Sequence, residues 1–203
     1  DGAAKLREAG IRSSHWLPLA CDPEVHRKHE LPKRFDVCFV GNLCLGPRND
    51  LLEAVQRQFP NTFVGQRYFD EMAETYSASR IVFNRSIEND INMRVFEALA
   101  CGSMLVTNDL RENGQDELFR DGIHLATYRD LDELLEKAAY FLKHEDLRER
   151  IAATGREEVV ARHTYQHRMQ QILQEVEHGL AKAAVSVPAA VSAKSSSHSD
   201  HQS

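Results

Sequence analysis

From Phe35 onward, apolar runs of strand length alternate with stretches of helical periodicity, and this alternation limits the possible folds more than any other feature of the chain. The pairs read FDVCFVG then NDLLEAVQRQF, NTFVG then FDEMAETYSAS, RIVFN then NMRVFEALACG, SMLVTND then NGQDELFR, and IHLATY then LDELLEKAAYFL. Runs this continuously apolar belong to strands covered on both faces, and strands separated by helices imply parallel crossovers. The pattern predicts a doubly wound α/β domain with a parallel sheet over residues 35–180. Extra carboxy-terminal helices, LRERIAATGREEVVARH and TYQHRMQQILQEVEHGL, close it, the second with Thr164 as its N-cap.

The flanks differ in character. Residues 1–34 hold one short helix, AAKLREAG, ended by Gly10, and then HWLPLACDPEVH, which its two prolines keep from being one continuous helix. This segment reads as a connector, and because the chain lacks an initial Met, it is expected to follow a missing amino-terminal domain. Residues 181–203 are biased to Ser, Ala and His, cannot build a core, and are expected to be a disordered tail. A chain of 203 residues, 42% hydrophobic and 28% charged, suffices for one principal core. Its formal net charge of -6 argues against a nucleic-acid partner. No run of 18 apolar residues and no basic-then-apolar leader occurs, so neither a transmembrane segment nor a secretion signal is expected. Cys21, Cys38, Cys44 and Cys101 show no C-x-x-C spacing and read as reduced thiols of a cytoplasmic protein.

In open α/β sheets, ligands bind beyond the carboxyl ends of the strands. Three places there are informative. In VGNLCLGPRNDLL, Gly41 closes the first strand and Arg48 opens the next helix, an arrangement that suits a phosphate; the plainer account is a flexible turn with one surface Arg. G-x-G-x-x-G is absent, so NAD is not favoured. In RSIENDINMRVFEALACG, the polar residues Glu88, Asn89, Asp90 and Asn92 precede a helix whose Val95, Phe96, Leu99 and Ala100 face the sheet. Asn92 or Asp90 can cap that helix, and Arg94 in its first turn opposes the helix dipole unless an anion lies nearby. Glu97, less than two turns from the binding end, can accept hydrogen bonds from two neighbouring sugar hydroxyls. Taken singly, each is also an ordinary loop or solvent-facing charge. The third place, Gly65-Gln66-Arg67 with Tyr68 and Phe69, could meet a nucleobase, although Phe69, Met72 and Tyr76 at helical spacing also fit plain core.

Taken in order, VGNLCLGPRNDLL, EMAETYSASRIVFN, NMRVFEALACGSMLVTND and HTYQHRMQQIL resemble the carboxy-terminal half of GT-B glycosyltransferases of the group 1 type. The phrase LPLACDPEVH is similar to one preceding this domain in the CgeB-type (spore maturation protein) branch. The resemblance implies a Rossmann-like domain that holds a nucleotide sugar, with UDP the expected nucleotide, facing a missing amino-terminal acceptor domain. It assigns the ribose contact to Glu97, the diphosphate to the helix start at Asn92 and Met93 with Arg94, and a further contact to the Gly41-Asn42 turn with Arg48. Relatives often carry a Glu where this chain has Asn89, which leaves Glu88 and Asp90 as the candidate catalytic carboxylates. They also usually carry Arg after the first-strand glycine and a Lys further on, in place of Asn42 and Arg48.

The activity implied is metal-independent hexosyl transfer to a glycan, protein or small-molecule acceptor, with no cofactor beyond the donor and with this fragment inactive alone. No Asp-x-Asp pair stands in the strand-end loops, and the pairs His26/His29 and His163/His167 lack the partners of a zinc site. A sugar-nucleotide epimerase of the same two-domain plan and a noncatalytic interaction module are the alternatives.

Overall fold

The computed structural model describes residues 2–43 and 46–185. Cys44 lies outside the described residues, as does 186–203 of the segment read as a tail. The chain divides into two compact units, Asp1–Arg168 and Met169–Ser203.

In the first unit five strands, β1 (Phe35–Val40), β2 (Thr62–Gly65), β3 (Ser79–Asn84), β4 (Met104–Asn108) and β5 (Ala126–Tyr128), form one sheet in the order β2-β1-β3-β4-β5. Every pairing is parallel. Between them run α2 (Pro47–Gln58), α3 (Phe69–Ser77), α4 (Met93–Ala100) and the short α5 (Gln115–Leu118), followed by α6 (Leu131–Lys143) and α7 (Glu145–Arg162). Helix α1 (Gly2–Glu8) precedes the sheet, and α8 begins at Tyr165 and runs through Val185, five residues beyond the 180 boundary.

The unbroken apolar strands have a simple cause. Successive side chains of a strand point to opposite faces. Val37, Phe39, Ile81, Phe83, Met104 and Val106 enter one core with residues of α2, α6 and α7. Cys38, Val40, Val82 and Leu105 enter the other, with α3, α4 and Val159 of α7. Neither face is left for polar residues. Burial pushes the Cys21 and Cys38 thiols up to about 11 and about 12, and Cys101 higher still, so all three are packing groups rather than nucleophiles.

Local structure departs from expectation in three places. IHLATY yields only a three-residue strand, because Leu125 is taken by an isolated bridge to Asp121. NGQDELFR is broken into a 3-10 turn, Arg111–Asn113, and α5, with Gly114 between them in the left-handed region at φ 86. Asn92 occupies the N-cap position of α4 but makes no side-chain cap; its amide donates to Asn84 Oδ1 instead. Thr164 does cap α8, its Oγ1 accepting the His167 amide at 3.3 Å.

The connector is built into the domain. Cys21 bridges Thr164, its amide bonding the His163 carbonyl and its carbonyl receiving the Tyr165 amide. Arg168 donates to the carbonyls of Pro18 and Leu19. Among the described residues no helix is long and apolar enough to cross a membrane.

Candidate functional site

In the order β2-β1-β3-β4-β5 the chain runs outward from β1 to β2 and returns to β3, so the crevice between the carboxyl ends of β1 and β3 is the switch point where ligands sit. A cavity of 310 Å³ opens there, lined by Arg48, Glu88, Asp90, Asn92, Met93, Arg94 and Glu97, with Ile87. Those residues come from α2, the β3–α4 loop and α4, which the fold brings together. Gly41 and Asn42 adjoin it through the arginines: a Cβ on Gly41 would be driven into the Arg94 guanidinium, and the Asn42 carbonyl accepts from Arg48.

Arg94 answers its own puzzle. Its Nε donates to the Val40 carbonyl at 2.9 Å and its Nη1 to Asn84 Oδ1 at 2.7 Å, while the guanidinium lies 4.3 Å from the Phe39 ring centroid. These bonds fix the guanidinium in the first turn of α4, where it opposes the helix dipole and lies near the Glu97 carboxylate. Arg48 stands 5.1 Å from the same ring, so Phe39 carries two guanidinium groups at the cavity wall. Phe39 is fully buried, which keeps both arginines from swinging inward. The positive wall is therefore fixed before any ligand arrives.

At the start of α4, beside the cavity, the Met93 and Arg94 N–H groups precede the first intrahelical acceptor, while the Val95 amide is taken by the Asn92 carbonyl at 3.2 Å. One turn further, the Glu97 side chain is only 15% exposed. Burial raises its pKa above the usual carboxylate range, with the Arg94 charge pulling the other way. His26 Nε2 lies 3.9 Å from Glu97 Oε1. Its Nδ1 accepts the Asp22 amide at 3.0 Å, which puts the ring proton on Nε2, toward Glu97. Burial lowers the His26 pKa, so the ring is neutral.

The two candidate catalytic carboxylates occupy different situations. Asp90 is tied into a turn: Ser86 Oγ donates to its Oδ1, and its own amide donates to Ser86 Oγ at 2.8 Å. Glu88 is exposed and makes no hydrogen bond or ion pair among the described residues. Asn89, between them in sequence, sits at φ 52 with its carbonyl held by Asn113. At the third place Tyr68 and Phe69 are exposed, Phe69 at φ 50, whereas Met72 and Tyr76 are core.

The histidine pairs with metal-like spacing are spent elsewhere. His26 faces Asp22 and Glu97, His29 accepts from Arg27, His163 meets Arg168, and His167 meets Thr164. His198 and His201 lie outside the described residues. Two residues of the site escaped sequence reasoning. Asn84 ends an apolar strand with a polar side chain and gathers Arg94, Asn92 and Thr107 Oγ1; its position at a strand's carboxyl end was the available signal. His26 could be read only as half of a zinc spacing, since nothing local links it to Glu97.

Residues 34–174 match the model of the glycosyl transferase-like family, and the chain belongs to that family. No curated protein matches it. Among solved structures, sucrose-phosphate synthase of Thermosynechococcus elongatus superposes with a TM-score of 0.65 at 15% identity, over 88% of this chain and 56% of that one. HepE of Anabaena, in complex with UDP, superposes with a TM-score of 0.71 at 14% identity, over 87% of this chain and 61% of HepE. The pneumococcal O-GlcNAc transferase GtfA, in complex with UDP and GlcNAc, gives 0.56 at 15% identity, over 80% and 38%. These likenesses establish the GT-B Rossmann-like fold. The chain spans a little over half the length of the first two.

Proposed function

We propose that this chain is the donor half of a glycosyltransferase and binds a uridine diphosphate sugar in the switch-point cavity. The observation that carries the reading is the placing of Glu97, a nearly buried carboxylate, one turn from the open amides of α4 in a cavity walled by Arg48 and Arg94. Glu97 accepts the two ribose hydroxyls, which an acceptor-only group can do with both oxygens. The amides of Met93 and Arg94 take the diphosphate, with the Gly41-Asn42 turn beside them. Binding of UDP by HepE and GtfA supports the choice of nucleotide.

In the transfer, an acceptor hydroxyl attacks the anomeric carbon while the bond from that carbon to the β-phosphate oxygen breaks. The electron pair leaves with UDP. The fixed guanidinium groups and helix amides stabilise the charge growing on that oxygen. Glu88, exposed and without a hydrogen bond among the described residues, is better suited than Asp90 to exchange a proton with substrate, Asp90 being committed to its turn. The phrase LPLACDPEVH favours the CgeB-type branch, and its His26 gives that phrase a use in the donor site. Hexosyl transfer without a metal, with an amino-terminal domain holding part of the acceptor, completes the reading.

Thermal shift and calorimetry with UDP, GDP, ADP and dTDP test it. A ligand at about a hundred times its Kd adds about 2.7 kcal/mol of stability. For a domain of this size that raises Tm by roughly 5–10 °C. UDP is expected to do so selectively; no stabilisation by any of the four sinks the reading. A second expected result concerns His26. His26→Asn keeps an acceptor near the Asp22 amide but removes the ring that faces Glu97 at 3.9 Å, and it should weaken UDP binding by no more than about threefold to tenfold, the upper end applying if the contact closes to a hydrogen bond when nucleotide binds. His26→Gln, which can still reach Glu97, should restore most of that affinity in the same titration.

A further inference from the structure

Beside the donor cavity lies a second, larger cleft of 550 Å³, within the range of about 300–1,000 Å³ typical of small-molecule sites. One wall is the strap Trp16, Leu17, Pro18 and Leu19; the other is the loop 88–91, with the turn around Gly114 between them. Trp16 is 38% exposed. Its ring lies so close to Gly114 that a Cβ there would stand 2.9 Å from Cη2 and 3.0 Å from Cζ3. Gly114 thus provides a seat that only a glycine leaves open. Behind the strap, Arg168 holds the Pro18 and Leu19 carbonyls, which anchors the backbone next to Trp16.

The polar groups around this platform suit hydroxyls rather than charges. Glu88, Asp90, Glu112, Asp116 and Glu117 line the cleft with Asn89 and Asn113, and the one guanidinium among them, Arg111, is already paired with Asp109. Carboxylates accept and amides both donate and accept, which matches the vicinal hydroxyls of a sugar; an aromatic face covers the apolar C–H face of a pyranose. So many carboxylates repel an acidic ligand. Glu88 and Asp90 line both this cleft and the donor cavity, so a ligand here reaches the donor's reacting end.

We propose that the Trp16 cleft is an acceptor subsite that binds an uncharged pyranose, its C–H face on the indole and its hydroxyls on the surrounding carboxylates and amides. This rests on the donor reading above for its role, although the sugar site itself does not. Trp16 is the only tryptophan in the chain, so its fluorescence reports on this cleft alone. The full chain is titrated with methyl glucoside, methyl galactoside, N-acetylglucosamine and glucuronate, with and without saturating UDP. At least one neutral sugar is expected to change Trp emission saturably, and glucuronate is not. By calorimetry, Trp16→Ala should weaken that sugar at least about tenfold, as loss of an aromatic anchor does. Glu117→Gln, at an exposed position where folding is not at stake, should weaken it roughly three- to tenfold and leave UDP affinity unchanged. No response to any neutral sugar while UDP binds overturns the subsite and leaves the donor reading standing, as does an equal response to glucuronate. A neutral-sugar response weakened in both variants as expected, in a chain that does not bind UDP, keeps the subsite and removes the donor reading.

Discussion

Glu97→Gln should leave a protein that is more stable than the parent at pH 7 and binds UDP-glucose far more weakly. The two effects share one cause. Burial raises the Glu97 pKa in the folded state above its unfolded value, so the native protein holds that proton more tightly than the unfolded chain does. The stability linked to this group is therefore fully present below the unfolded pKa and lost as pH rises through the folded one. At neutral pH the native state carries an ionised, poorly hydrated carboxylate, eased by Arg94 and faced by a neutral His26. Glutamine keeps the shape and removes the charge, so Tm at pH 7 should rise, and the difference from wild type should vanish toward acid. The ribose, however, exchanges two charge-assisted hydrogen bonds of about 1.5–3 kcal/mol for neutral ones of about 0.5–1.5 kcal/mol, a loss of about 2–3 kcal/mol in all, so affinity should fall roughly thirty- to a hundred-and-fifty-fold. Wild-type affinity should also decline as pH drops through the raised Glu97 pKa, while the variant's stays flat. UDP-glucose is the better probe for that profile, because its diphosphate has no free terminal phosphate to titrate in the same range. A variant that is less stable and binds as well as wild type would show Glu97 to be a structural residue.

The sheet could be read from the sequence because its cause is local to each strand: FDVCFV and RIVF are apolar on both faces since helices cover both. The position of Glu97 could be read for a similar reason, since it depends only on the register of one helix placed after one strand. What escaped depends on partners far along the chain. Arg94 is held by Val40, 54 positions away, a partner that the helix register alone does not reveal. His26 meets Glu97 only because the connector is pinned to the far end of the domain by Cys21 and Arg168, a docking that no periodicity announces. Asn92 fits a capping rule in position but not in bonding: its side-chain NH2 is oriented by Asn84, and its oxygen does not reach the helix amides. Arg94 and His26 took partners far along the chain, which no local pattern announces.

Gly155→Ala should destabilise the domain, although in an open helix the same change would stabilise it by about 1 kcal/mol. Gly155 is buried in the middle of α7, where a Cβ would be driven into the His124 carbonyl and would stand 2.8 Å from Leu99 Cδ2. Neither neighbour can move away easily. The turn carrying His124 is closed by its own amide to Arg120 at 3.0 Å and by Gly122 to Leu125 at 2.8 Å, and Leu99 is fully buried on the inner face of α4. Overpacking of this kind costs about 1–3 kcal/mol, and where the obstacle is backbone the upper part of that range applies. Net of the helix gain, about 1–2 kcal/mol should be lost, lowering Tm by roughly 2–8 °C in thermal unfolding followed by circular dichroism. An increase in Tm would mean that the His124 turn yields and that α7 is not held at this depth by the glycine. The same variant also probes the site, because pressure on Leu99 acts on the helix that bears Glu97 two residues earlier. If α4 moves as a rigid rod, UDP affinity measured well below Tm should fall with stability; if α7 alone is displaced, affinity should hold while Tm drops.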